Sequence, residues 1–426
     1  MNDAPTALGD LRIIEWSDEK GAWAGKLLAD MGADVVKIEP PEGDDTRHYG
    51  PFMDDTPDPE RSLWYWNYNT SKKSITLNLD TTRGRELFKA LVKGADAVIE
   101  SQPVGRAASL GIDYRDLESE NPGLIWVSMT PVGRNAPRHD ELATDLTLLA
   151  GGGIAWMNGY DDHSLPPVRG GGNQGYHTGS HYAVLSLLVA LLHRDHTGEG
   201  QFVDVNMNAA INVTTEAGSY AWLVAGQEVQ RQTGRHAAAQ PSPPTQVQCA
   251  DGRYVNLTFA ARNAAMFRVI HDWLHALGLQ DEFEGTAELL AGASRGQITI
   301  QELRTDPEVR AIIQAAREGL NLVAANVDAY EFFRHAQDNG MVVSIIYSPE
   351  EMLEDVHFKE RGMAVAVEHP EIGRSFIYPG PPYQLRETPW RISRRAPALG
   401  EDNVEVYGAL GLSVSELDSL KEAGVI

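Results

Sequence analysis

The chain has 426 residues, enough for two or three domains with a hydrophobic core of ordinary size. Sixty acidic residues against 36 basic ones leave a formal net charge of −24. That charge repels phosphate backbones and anionic lipid, so neither nucleic acid nor a membrane surface is expected as a partner, and the single cysteine excludes an internal disulfide or a multi-cysteine metal site.

LRIIEW, from Leu11 to Trp16, is a short Ile-rich run that predicts a strand. In GAWAGKLLADMGA the residues Trp23, Leu27, Leu28 and Met31 recur at helical spacing, and Gly32 stops the helix. DVVKIE, Asp34 to Glu39, is β-branched again and ends at Pro40-Pro41. A strand–helix–strand unit this short belongs to a right-handed crossover in a parallel sheet. KKSITLNLD predicts a further strand, TTRGRELFKALVKGA a Thr-capped helix with Leu87, Phe88 and Leu91 on one face, and DAVIES and LIWVSMT two more strands. After the loop PPVRGGGNQG, from Pro166 to Gly175, an apolar helix is predicted over about 176–193, then the strand FVDVNM and a helix over about 208–229. RHAAAQPSPP reads as a crossing between domains and VQCADGRYVNLTF as a hairpin around Asp251-Gly252. A helical, charged segment runs from Asn263 to about Asp338, and the tail ends in a Ser-capped helix with Leu417 and Leu420 on one face.

The alternation predicts an α/β fold: a large Rossmann-like domain whose first part covers 1–225, a smaller α+β domain with its linkers over 226–340, and a return to the large domain with the C-terminal helix over 341–426. The apolar run after Tyr182 is too short to span a bilayer, and MNDAPTALGD has neither the basic nor the apolar region of a signal peptide, so a cytoplasmic address is expected.

Four features invite a chemical reading. GGGNQG, Gly170 to Gly175, matches a dinucleotide-binding spacing, but LPPVR before it is a poor strand and no acidic residue ends the next one. A Gly-rich loop opening a helix, with free N–H groups facing negative charge, fits better. His177 and His181 share a helical face but lack a third zinc ligand, so no metal is expected and they read as the polar rim of a buried helix. Cys249 reads as a small buried residue. Lys72-Lys73 opens a strand, either as a solvated edge or as a phosphate contact.

Taken together, LLADMGADVVKIEPPEGDDTR, SITLNLDTTRGRELFKALVKGADAVIES, LGIDYRDLESENPGLIWVSMT, TGEGQFVDVNM and APALGEDNVEVYGALGLSVSELDSLKEAGVI resemble the family III CoA-transferases. That group contains formyl-CoA and crotonobetainyl-CoA transferases and the acyl-CoA racemases, and the resemblance runs from about residue 9 to the C-terminus. It implies two chains threaded as interlocked rings, and transfer of CoA from an acyl-CoA to a carboxylic acid, with acyl-CoA as substrate and no permanently bound cofactor. It implies an aspartate nucleophile four residues before the glycine of a Thr-Gly step, here Thr178-Gly179. The residue at that place is Gly175, and no Asp or Glu lies between Arg169 and Arg194. By family position and charge, Arg47, Lys72, Lys73, Ser101, Gln102 and Arg106 are the expected CoA contacts, and Gly171, Gly172, Gln174, Gly175 and Tyr176 the loop near the active site.

Other positions depart from the family pattern. Its Ala-Gly-Pro turn reads Lys20-Gly21-Ala22, its Asn-Phe pair reads Ser101-Gln102, its arginine before the Leu-Gly step reads Ser109, and the racemase histidine reads Thr144. Lys37-Ile38-Glu39 is kept. Three readings follow: a non-catalytic subunit completed by an Asp-bearing sister, as in members built from two unlike chains that act on benzylsuccinate-type acids; a self-sufficient transferase, as a homodimer, with another nucleophile such as Asp145; or an acyl-CoA-binding or isomerase-like protein. Trp156, Tyr160, Tyr176 and Tyr182 would suit an aromatic acid. A positive φ at Gly175 would strain an aspartate placed there.

Overall fold

The computed structural model describes residues 5–258 and 263–426; the first four residues of the N-terminal stretch and Phe259, the last residue of the expected hairpin, lie outside them. The chain forms two compact units, one from Met1–Asn158, Pro167–Gln227 and Asp355–Ile426, the other from Gly159–Pro166 and Glu228–Glu354.

The first unit is built on a six-stranded sheet of β1 (Arg12–Trp16), β2 (Asp34–Glu39), β3 (Lys73–Thr76), β4 (Ala97–Glu100), β5 (Ile125–Thr130) and β6 (Gln201–Asn206). Its order is β3-β2-β1-β4-β5-β6 and every pairing is parallel. Helices α1 (Ala22–Asp30), α2 (Leu63–Tyr68), α3 (Thr82–Lys93), α4 (Asp145–Gly151), α5 (Gln174–Thr197), α6 (Met207–Asn212) and α7 (Ala217–Ala225) accompany it. The period of two in the strands divides their side chains between two layers. Ile13, Val35, Ile99, Val127 and Met129 pack with Leu28 of α1 and Ala183 and Leu187 of α5. Ile14, Val36, Ile75, Val98 and Trp126 pack with Phe88 and Leu91 of α3 and with Tyr407 and Leu417 near the C-terminus. The helix expected over 208–229 is interrupted: α6 and α7 are separated at Glu216, whose φ of 43° and ψ of −100° break the helical path.

β3 is an edge strand, and the returning chain closes it with side chains rather than a seventh strand. Asp402 accepts the Ser74 N–H at 2.8 Å and Asn403 the Thr76 N–H at 2.9 Å, while the Tyr407 hydroxyl donates to the Thr76 carbonyl at 2.7 Å. The otherwise open row of backbone groups is thereby satisfied.

The second unit carries the hairpin β7 (Gln230–Gln232) and β8 (Arg235–Ala238), and an antiparallel sheet of β9 (Gln246–Gln248), β10 (Tyr254–Thr258) and β11 (Val342–Ile345) in the order β11-β10-β9. Val255, Leu257, Phe267, Ile270, Trp273, Leu320 and Phe332 form its core. Cys249 is buried there, and burial pushes its thiol up to about 11, which leaves it a packing residue.

Tyr407→Phe removes the donor that serves the buried Thr76 carbonyl. Urea unfolding of the variant is expected to show a loss of about 1–2 kcal/mol, with no change in stability as the contrary result.

Candidate functional site

Helix α5 begins at Gln174, so the Gly-rich loop runs into its first turn. Gly175 is buried there with right-handed backbone, and its constraint is contact rather than φ: a Cβ would lie 3.0 Å from Asp145 Oδ1 and 3.1 Å from Ile211 Cδ1. Asp145, the first residue of α4, faces this turn. Its Oδ1 accepts the Tyr176 N–H at 3.0 Å and its Oδ2 accepts from Arg169 at 2.9 Å, while Arg169 also donates to the Gly172 carbonyl at 3.0 Å. A carboxylate of the chain itself therefore satisfies a first-turn N–H of α5 and pins the loop. Gly171, Gly172 and Gln174 remain exposed, with Gly172 at φ +74°.

The residues after Gly175 turn inward. Tyr176 is buried and donates to Glu19 Oε1 at 2.8 Å, and Tyr49 hydrogen-bonds the same Glu19. The His177 ring stacks on Trp23 with centroids 4.4 Å apart, and its Nε2 lies 2.8 Å from the Tyr68 hydroxyl. Burial first, and His181 second, push His177 down to about 4. A neutral ring accepts the Tyr68 proton at Nε2, just as His181 Nε2 accepts from Trp23 Nε1 at 3.3 Å. Trp64 stacks on Tyr68 at 4.1 Å and meets Tyr49 edge-on. The histidines thus belong to an aromatic cluster at the mouth of α5. Trp156, Tyr160 and Tyr182, singled out in the sequence, are instead exposed, each between 39% and 52%. Among the described residues no group of three His, Cys, Asp or Glu side chains could hold a metal ion.

The basic residues expected to meet CoA are not gathered on one surface. Glu15, Lys37 and Ser74 stand in register across β1, β2 and β3 on the layer facing α1, and charges replace the apolar layer there. Arg47 is 1% exposed. It holds Glu39 through two nitrogens at 2.6 and 2.8 Å, lies over the Tyr65 ring, and reaches the Pro397 carbonyl. Lys72 is fully buried among Glu15 Oε2 at 2.7 Å, the Asn69 side chain at 2.9 Å and the Ala22 carbonyl at 2.9 Å. Burial pushes its ammonium down to about 8 despite Glu15. Lys37 lies between Asp44 at 3.2 Å and Glu15 at 3.6 Å. Lys26 pairs with Asp30 at 2.9 Å. Burial pushes Glu39 upward, but Arg47 and Lys37 outweigh it and hold the carboxyl below its ordinary range. Four buried cations thus offset four buried anions, which such a layer requires. Gly25 of α1 is needed beside it, since a Cβ there would fall 1.7 Å from Glu15 Oε2. Lys73 is taken up by Asp34 and Glu405, each at 2.8 Å.

Gln102 and Arg106 do face a cavity. A crevice of about 530 Å³ opens at the carboxyl ends of β1 to β4, where the strand order reverses. Open α/β sheets hold their ligands at such a point. Its lining includes Asp18, Glu42, Asp44, Asp45 and Asp80 as well as Gln102 and Arg106. Ser101, buried at its edge, donates to Asp18 at 2.7 Å, and Arg106 pairs with Asp80 at 2.6 Å. Sequence reasoning missed Asp18, Glu19, Asp45 and Asp80, and also Trp23, Trp64 and Tyr68. The visible signals were the acidic runs SDEK and EGDD at strand ends and the dense aromatics of LWYWNY.

His177 yields a test. Its folded value of about 4 lies below the ordinary histidine value of about 6.5. The unfolded chain therefore takes up the proton first, and stability present above pH 6.5 is lost as pH falls toward 4. His177→Gln is expected to flatten that part of a stability-against-pH curve measured by chemical unfolding; an unchanged slope would contradict the neutral, half-buried ring.

Residues 8–403 match the model for CoA-transferase family III. The chain is 28% identical to the succinyl-CoA:(R)-benzylsuccinate CoA-transferase subunit BbsE of Thauera aromatica, over 97% of each chain. It is 30% identical to the succinyl-CoA–D-citramalate CoA-transferase of Chloroflexus aurantiacus, over 99% of this chain and 98% of that one. A solved CAIB/BAIF family protein from Brucella suis superposes with a TM-score of 0.77 at 26% identity, over 95% of this chain and 99% of that one. The chain is a member of CoA-transferase family III, and its class of chemistry is the transfer of CoA.

Proposed function

We propose that this chain is the non-catalytic subunit of a heteromeric family III CoA-transferase, whose sister chain carries the aspartate. In the family reaction a carboxylate attacks the thioester carbonyl, the C–S bond breaks, and CoA leaves as thiolate from a mixed anhydride. The thiolate then attacks the enzyme acyl carbon, releasing the first acid and leaving an enzyme thioester, and the acceptor acid repeats both steps in reverse. The energy of the thioester is kept at every stage. The observation that carries the reading is Gly175, which has no side chain to form the anhydride at the start of α5. The carboxylates beside it serve other groups: Asp145 is 5% exposed with both oxygens engaged, and Glu19 is tied to Tyr176 and Tyr49.

A partner chain is supported by the surface. On α5, Tyr182, Leu185, Val189 and Leu192 are exposed on one side of the helix, and on α7 Trp222, Leu223 and Val224 are 59%, 80% and 86% exposed. An unpartnered apolar stripe of that length marks an interface, and the interlocked-ring pairing of the family would cover it. The relative from Thauera aromatica is itself named a subunit, and its benzylsuccinate acid is both aromatic and dicarboxylic. The cluster of Trp23, Trp64, Tyr68 and His177 at the mouth of α5 supports an aromatic acid of that kind for this enzyme.

Purified alone, the chain is expected to transfer no CoA between succinyl-CoA and free acids. Co-expression with an Asp-bearing sister is expected to produce transfer, and an aspartate-to-alanine change in the sister to abolish it. Transfer by the isolated chain would overturn the reading.

A further inference from the structure

The crevice at the carboxyl edge of the sheet has the position of a nucleotide site and the charge of its opposite. In a Rossmann-like fold the turn after the first strand presents donors to a ligand's phosphates at the mouth of the first helix. Here that turn carries Asp18. Its carboxylate accepts the Lys20 N–H at 3.0 Å and the Ser101 hydroxyl at 2.7 Å, and it contacts the Lys20 ammonium as well. On the facing wall the Arg106 guanidinium, the basic side chain of the crevice lining, is spent on Asp80 at 2.6 Å. Asp44 is held by Lys37, and Glu42 and Asp45 add two further carboxylates to the rim. The Lys20 N–H and ammonium, the Ser101 hydroxyl and one nitrogen of Arg106 are therefore already matched to anions belonging to the chain. A CoA diphosphate entering 530 Å³ lined in this way would have to break these pairs and sit among like charges within a Debye length.

We propose that Asp18 and Asp80 act as built-in anions that close this crevice to CoA, so that the CoA handled by the assembled enzyme is seated on the sister chain. The assignment of the seat to the sister rests on the heteromeric reading above; the closure of the crevice rests on this chain alone. It also explains why the family's basic positions persist without forming a site: Arg47 and Lys72 are retained inside the charge layer, where their partners are Glu39 and Glu15.

The test is CoA binding to the purified full-length chain by isothermal titration at low ionic strength, with pantetheine, which lacks the phosphates, as the neutral probe. Wild-type chain is expected to bind CoA no more tightly than pantetheine. The double variant Asp18→Asn, Asp80→Asn keeps the side-chain shapes and removes two charges, and it is expected to bind CoA at least ten-fold more tightly with pantetheine unaffected. Micromolar CoA binding by the wild-type chain would overturn the proposal, and so would a folded double variant that gains no affinity. Neither result depends on turnover, so the heteromeric reading stands or falls separately on reconstitution with the sister.

Discussion

Asp145 takes the backbone N–H of Tyr176 on one oxygen and the Arg169 guanidinium on the other, and the shape of the Gly-rich loop depends on that pair of contacts. A helix N-terminus leaves N–H groups without partners, and an acceptor of negative charge is favoured there. By supplying that acceptor from α4, the chain fixes where α5 begins and brings Asp145 against Gly175, the position on which the heteromeric proposal rests. Gly175 is compatible with this arrangement because nothing projects from it; any side chain would press on Asp145 and Ile211.

Electrostatics shape the rest of the unit in the same self-contained way. The layer of Glu15, Lys37, Glu39, Arg47 and Lys72 lies on the face of the sheet toward α1, and each charge is answered by another element of the same chain. Removing one partner of such a pair leaves an uncompensated buried charge, which costs far more than the intact pair contributes. The pattern extends to the crevice, where Asp18 and Asp80 answer Ser101 and Arg106. In this layer and at the crevice, the cations are thus matched to anions of the chain itself.

Much of the sheet was legible because its residues obey local rules. The short apolar, β-branched runs ending at Trp16, Glu39 and Glu100 mark strands buried on both faces, and the capped helix after Thr81 shows Leu87, Phe88 and Leu91 at helical spacing. The Gly-rich loop opening a helix was legible too, since α5 begins at Gln174 directly after it. What failed to show was everything decided at long range. The charge of Arg47 is evident in the sequence, but its burial depends on Glu39 and Pro397, the latter 350 positions away. The break at Glu216 arises from a backbone conformation that no residue type there announces. Trp23 and Tyr68 are drawn together with His177 from three separate helices, so no spacing reveals their cluster.

The account is tested most directly by intact-mass spectrometry of this chain after incubation, within the active heteromer, with an acyl-CoA and then hydroxylamine. The mass of this chain is expected to remain unchanged while the sister acquires the hydroxamate. An acyl, CoA or hydroxamate adduct on any carboxylate of this chain would contradict the claim that it contributes no nucleophile.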